Sequence, residues 1–191
     1  MNDLVSPLII LIGGAAGTSK TTFGKKICNE FDIDHRLGTG FIREIAKSYI
    51  SREENPFLYN YSFQPHINIS PFENLYKQSA VINNSMELCI NRSYNEGTSL
   101  LIEGVNVIPG LIDTTHCSFM IVLSVEDYDQ HYSMINGKTH FKRKISRKKF
   151  TNVRLIQERL MEAAINNHWS INKVNSIDNV INKIKNHIEQ Q

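Results

Sequence analysis

Residues Gly14 to Thr22 read GAAGTSKTT, and their types suit the holding of a phosphate. The spacing follows G-x-x-x-x-G-K-[ST], with Gly14 as the first glycine, Lys20 as the lysine and Thr21 as the hydroxyl. In that pattern successive backbone N–H groups wrap an anion at a helix N-terminus. The lysine reaches the β- and γ-phosphates, and the hydroxyl ligates Mg²⁺. The expected cofactors are therefore ATP and Mg²⁺. The expected cofactor-binding residues are Gly14, Ala15, Ala16, Gly17, Thr18, Ser19, Lys20, Thr21 and Thr22. Ser19 departs from the pattern. It stands where a second glycine lets the backbone approach a phosphate without a Cβ.

Glu103 ends the string SLLIE and is followed by Gly104. A carboxylate placed there can orient metal-bound water or take a proton from a substrate hydroxyl. Glu103 is thus a candidate metal ligand beside Thr21 and a candidate catalytic residue beside Lys20. From Lys138 to Lys149 the chain reads KTHFKRKISRKK, in which seven of twelve residues are Lys or Arg. In phosphoryl transfer such residues neutralise charge on the transferring group from a closing lid. A solvated basic face and a nucleic-acid patch are the alternatives. Arginine suits bidentate phosphate contacts better than lysine, so Arg143 and Arg147 are the catalytic candidates of the lid. Arg43 is placed to clamp a phosphate or carboxylate from a substrate-facing helix; a solvent-facing helix arginine is the plain alternative.

The elements that must position these residues follow from the apolar pattern. Pro7 to Ile12 (PLIILI) is a continuous apolar run ending at Gly13-Gly14, which predicts a strand buried on both faces. Phe23, Ile27 and Phe31 share one helical face after the loop. Ser99 to Ile102 and Phe119 to Leu123 carry two further buried-strand signatures, and weaker strands are expected near Asp34–Leu37 and Ser170–Val174. Helices are expected over 40–50, 72–95 (stopped by Gly97), 126–135, 152–165 and 177–188. Residues 52–70 hold Pro56, Pro65 and four alternating aromatics, a long loop of the kind that is usually functional or mobile. Phe57, Tyr59, Tyr61 and Phe63 are expected mainly to pin that loop.

Strands alternating with helices predict an α/β three-layer sandwich with a mostly parallel, five-stranded sheet. Ligands of such sheets bind beyond the carboxyl ends of the strands, so the turns after Ile12, Ile102 and Leu123 should meet. The 191 residues are read as one domain, 1–191, with a lid at about 137–150.

Composition narrows the partners. Lys plus Arg is 21 and Asp plus Glu is 19, a net charge of +2 that argues against a long polyanion. One third of the positive charge lies in Lys138–Lys149, so the anion should be small and local. Cys28, Cys89 and Cys117 form no C-x-x-C pair, which fits a reduced, cytoplasmic compartment. No apolar run reaches the ~18 residues of a membrane helix. The seven histidines show no zinc spacing. Asn172-Lys173-Val174-Asn175 lacks the aspartate of a guanine-reading N-K-x-D.

Three strings, HRLGTGFIRE (His35 to Glu44), EGTSLLIEGVNVIPGLI (Glu96 to Ile112) and FTNVRLIQERL (Phe150 to Leu160), together resemble the 2-phosphoglycerate kinase family of P-loop kinases. The phosphate loop precedes them in the right order, and the resemblance spans the chain from about Leu8 to the last helix. It implies a P-loop NTPase fold of the nucleoside- and nucleotide-kinase type with a basic lid. It also implies ATP- and Mg²⁺-dependent transfer of the γ-phosphoryl to a small phosphorylated or acidic metabolite. By matching position, Arg43, Glu44 and Arg154 would bind the substrate, with Glu103 at the reacting centre. Gly40 stands where such kinases often carry an aspartate, and Met134 and Lys138 where the pattern is arginine-rich. These departures motivate an alternative, a nucleotide-binding regulatory protein without phosphotransfer.

Overall fold

A computed structural model describes residues 6–137 and 144–189. Arg143, with the first half of the basic string from Lys138, lies outside the described residues.

The element order is β1 (Ile9–Gly14), α1 (Lys20–Phe31), β2 (His35–Gly38), α2 (Thr39–Ala46), α3 (Pro71–Glu96), β3 (Leu100–Glu103), β4 (Phe119–Ser124), α4 (Tyr128–Ile135), α5 (Arg147–Asn166), β5 (Ser170–Lys173) and α6 (Ile177–Ile188). The five strands pair in parallel in the order β2-β3-β1-β4-β5. The expected sheet is present, and helices cover both faces.

Alternation along the strands builds two cores. Ile9, Leu11, Leu100, Ile102 and Val122 join α3 and α5 on one face. Ile10, Ile12, Leu101, Ile121 and Leu123 join α1 and α6 on the other. Each face is dry, which is why these strands read as unbroken apolar runs rather than as alternating ones.

Local signals set the helix ends. The Ser70 hydroxyl accepts from Glu73 N at 3.1 Å, Pro71 opens α3, and Gly97 stops it at φ 69°. The helix expected to start at 152 starts at Arg147, because the Ser146 hydroxyl caps it by accepting from Lys149 N. Of the segment 137–150 expected as a lid, residues 147–150 form the first turn of α5. In this turn the basic residues are a helix face, so charge density alone overstated the loop. Ahead of α5, Asn136 Oδ1 accepts from Ile145 N at 2.8 Å, and the Tyr132 hydroxyl donates to Ile145 O at 3.1 Å.

Candidate active site

The register brings the three turns together as expected. Ile12 pairs with Glu103 and Gly14 with Leu123, so the phosphate loop after β1 is flanked by the end of β3 on one side and the end of β4 on the other. Two cavities open there, one on each side.

The loop has the form its sequence calls for. Gly14 (φ 142°) packs so closely that a Cβ would stand 2.7 Å from both Leu123 O and Thr18 Oγ1. At Gly17 (φ 83°) a Cβ would meet Ile135 at 2.9 Å and the His131 ring at 3.3 Å. Ser19 is the residue before α1 and adopts φ 54°, ψ 21°, the left-handed conformation that glycine takes freely. Serine thus fits the loop shape at a conformational cost of about 1 kcal/mol. The Lys20 ammonium lies back over the loop, donating to Ala15 O at 2.5 Å and to Thr18 Oγ1 at 3.3 Å.

On the β3 side, the Thr21 hydroxyl donates to Glu103 Oε2 at 3.1 Å. Glu103 is itself 4% exposed, and the Arg36 guanidinium of β2 contacts its other oxygen. A hydroxyl and a carboxylate beside a phosphate loop are hard oxygen donors. They suit Mg²⁺, which takes one or two protein oxygens and completes its shell with phosphate and water. Among the described residues no group of three or more His, Cys, Asp or Glu forms a metal cage.

This first cavity, ≈ 350 Å³, is lined by Lys20, Thr21, Arg36, Arg43 and Glu103, with Tyr61 and Phe63 among its walls. Its floor is a buried polar chain. Thr39 Oγ1 donates to Asn106 Oδ1 at 3.3 Å, and Asn106 Nδ2 donates to Gln78 Oε1 at 3.1 Å and Ser79 Oγ at 3.0 Å. Gln78 Nε2 then holds the carbonyls of Phe57 and Asn60 at 2.7 and 2.9 Å. Arg43 reaches Asn60 O at 3.3 Å, and its Nε is buried without a hydrogen-bond partner. The 52–70 loop is therefore a fixed wall of the cavity. Its aromatics divide the work: Tyr59 ties its hydroxyl to Ile50 O at 2.8 Å, while Tyr61 and Phe63 stack at 5.3 Å beside the opening. A Cβ at Gly40 would meet nothing within 4 Å, so packing does not account for the missing carboxylate.

On the β4 side, α4 braces the loop. His131 is fully buried, with Nε2 2.8 Å from Ala16 O and Nδ1 3.4 Å from Arg154 Nη1. Arginine can only donate, so the neutral Nε2–H tautomer satisfies both contacts. Burial pushes the imidazole pKa down to about 4; the Ala16 carbonyl opposes this, and the Arg154 and Lys20 charges add to it. Arg154 also donates to Val125 O at 2.7 Å and Glu126 O at 3.1 Å. A second cavity, ≈ 550 Å³, lies between the β4–α4 and β5–α6 turns and is lined by Ser124–Tyr128, Gln130 and Lys173–Asn175.

Of the residues expected from sequence, Lys20, Thr21, Glu103 and Arg43 meet at the first cavity. Glu44 does not line it; its side chain is 57% exposed and paired with Lys47 and Arg43, which hold its carboxyl below the usual range. Arg154 does not line the cavity; it donates to the carbonyls of Val125 and Glu126 and lies beside His131. Arg147 sits on the outer side of α4, 3.0 Å from Asp129 and over the Tyr132 ring. Arg36, Thr39, Asn106, Gln78 and His131 were not anticipated. Polar residues on the inner face of α3 were a usable signal for Gln78; nothing local pointed to Arg36.

A phosphate loop at the centre of a parallel five-stranded sheet, backed by an acidic strand end, defines the P-loop NTPase fold. Solved structures agree at the level of fold. A gluconokinase from Sinorhizobium meliloti matches with a TM-score of 0.55 at 9% identity, over 96% of this chain and 93% of that one. A deoxyadenosine kinase from M. mycoides matches at 0.52 and 15%, over 94% and 100%.

In sequence the chain is similar to curated 2-phosphoglycerate kinases. It is 28% identical to the 2-phosphoglycerate kinase of Methanopyrus kandleri over 97% of this chain and 62% of that one. It is 33% identical to that of Methanothermobacter thermautotrophicus, over 65% and 45%. The enzyme of the same name from Methanocaldococcus jannaschii is 28% identical over 83% and 55%. The chain thus spans about half the length of the curated relatives it matches. No family model matches it.

Proposed function

We propose that the protein is an ATP- and Mg²⁺-dependent phosphotransferase acting on a small phosphorylated or acidic metabolite, as the 2-phosphoglycerate kinase relatives are named. The observation that carries this reading is the Thr21–Glu103 hydrogen bond at the root of a cationic cavity. It joins a metal-holding pair to an acceptor space in one place.

In this reading the triphosphate lies along Gly14–Thr22, and the base occupies the second cavity beyond β4 and β5. Lys20 moves from the Ala15 carbonyl to the β- and γ-phosphates. Thr21 and Glu103 hold Mg²⁺, which neutralises charge on the phosphates when bound. The acceptor enters the first cavity, where the buried Nε–H of Arg43 meets an anionic oxygen that satisfies it. With Lys20 on the nucleotide, Arg36 and Arg43 still outnumber Glu103 there, which favours an anionic acceptor. The protein's work is positioning and charge neutralisation. Arg143 and Arg147 take the lid role; the Arg147–Asp129 pair is exposed and exchanges for a phosphate at little cost. Among the described residues no helix is long and apolar enough to cross a membrane, and the three cysteines are free, which supports a reduced cytoplasmic setting.

A coupled ADP-release assay over phosphorylated hydroxy acids, sugars and nucleosides tests the reading. Acceptor-dependent turnover is the expected result. The strained Ser19 and the empty space at Gly40 favour a second reading, a nucleotide-binding regulator. Tight ATP binding by calorimetry with no turnover on any acceptor selects it.

A further inference from the structure

Arg36 stands apart from every other cation around the loop. It comes from the edge strand β2, and its guanidinium contacts Glu103 Oε1 while Nη2 lies 3.5 Å from Thr21 O. One residue therefore contacts the metal-holding carboxylate and the backbone carbonyl of the residue whose hydroxyl meets that carboxylate. The approach is built in. A Cβ at Gly24 of α1 would stand 3.2 Å from Arg36 Nε and 3.5 Å from Glu103 Oε1, so the glycine keeps the path between α1 and the sheet open. The side chain is 29% exposed and lines the first cavity, whereas its partner carboxylate is 5% exposed.

Building on the proposed kinase reading, we propose that Arg36 is the counter-cation of the metal-holding carboxylate and sets the affinity of the site for its metal. Before the metal arrives, the guanidinium neutralises Glu103, which would otherwise be an uncompensated buried charge. A divalent cation at Thr21 and Glu103 then shares its carboxylate with a fixed positive neighbour, and the two repel. The same positive charge helps hold a metal-free polyphosphate on the loop. When the metal takes its share of Glu103, Arg36 becomes a cation available to an anion in the acceptor cavity. Arg36 is thus a positioning residue that links metal binding on one side of Glu103 to acceptor binding on the other.

The test uses opposite signs. Arg36→Gln keeps a neutral donor for Glu103 and removes the charge; Arg36→Lys keeps the charge. Calorimetry with ATP in EDTA reads metal-free nucleotide affinity. Mn²⁺ titration of the complex with a non-hydrolysable ATP analogue, followed by electron paramagnetic resonance, reads metal affinity. Arg36→Gln should bind metal-free ATP roughly tenfold more weakly and Mn²⁺ roughly tenfold more tightly, with Arg36→Lys within about threefold of the parent in both. A structural role alone lowers both affinities together, and that result, or no change in either, overturns the inference. A parent protein that binds no ATP with or without metal overturns the kinase reading and this inference with it. Binding by the parent with unaltered Mn²⁺ affinity in Arg36→Gln overturns the inference alone.

Discussion

On the β4 side of the phosphate loop the contacts that brace it lead to backbone: His131 to Ala16, Arg154 to Val125 and Glu126, Gln157 to Val125. On the β2–β3 side they run between charged or hydroxyl side chains that border an open cavity: Arg36, Glu103, Thr21, Arg43. The first set has nothing to exchange, because a buried carbonyl without its donor is costly. The second set has partners that a ligand can replace. A loop that must keep its shape while its ligands change needs one side of each kind.

Lys20→Ala tests that division most strongly. Transfer should fall by about 10³-fold or more while the melting temperature hardly moves, since the lysine's hydrogen bonds to Ala15 O and Thr18 Oγ1 are to loop atoms. Full activity in this variant breaks the assignment of the loop.

Acid should attack the β4 side. His131 is held neutral with a pKa of about 4 against an ordinary 6.5, so the unfolded chain binds its proton first as pH falls. The stability it protects is intact above pH 6.5 and is lost as pH drops from there towards 4, by up to about 3 kcal/mol. Urea melts between pH 7 and 4 measure it.

His131→Asn should flatten much of that acid dependence and cost about 2 kcal/mol at neutral pH, because one short amide cannot meet both Ala16 O and Arg154. ATP affinity should fall and the acceptor KM stay put. A change confined to the acceptor KM would show that the two sides are not separate.

Ser19→Gly is the smallest effect. Relief of the left-handed backbone should stabilise the fold by about 1 kcal/mol and tighten ATP binding slightly, read by thermal melts and calorimetry. A destabilised variant would mean that the serine hydroxyl contributes something the loop needs.

Most of this architecture was legible in the chain. Pro7–Ile12, Ser99–Ile102 and Phe119–Leu123 announced buried strands, because a sheet covered on both faces leaves no room for alternation. The loop was legible because its parts are adjacent in sequence, and Glu103 because a strand end before glycine faces the cleft. Arg36 was not legible. It lies 67 residues from Glu103, and the two meet only because β2 and β3 pair in parallel with Gly38 opposite Glu103. His131 and Arg154 were hidden for the same reason, since a helix histidine acquires its role only when α4 is pressed against Gly17.

The sequence by itself determined a phosphate-holding loop between a strand and a helix, within a parallel α/β sheet. Those features depend on neighbours within a few residues and on burial, which composition and periodicity record. Only the tertiary structure decided which cation faces Glu103, which arginine faces a carbonyl, and which loop walls the first cavity. These depend on strand order and helix docking, where one register step or one open glycine passage selects the partner.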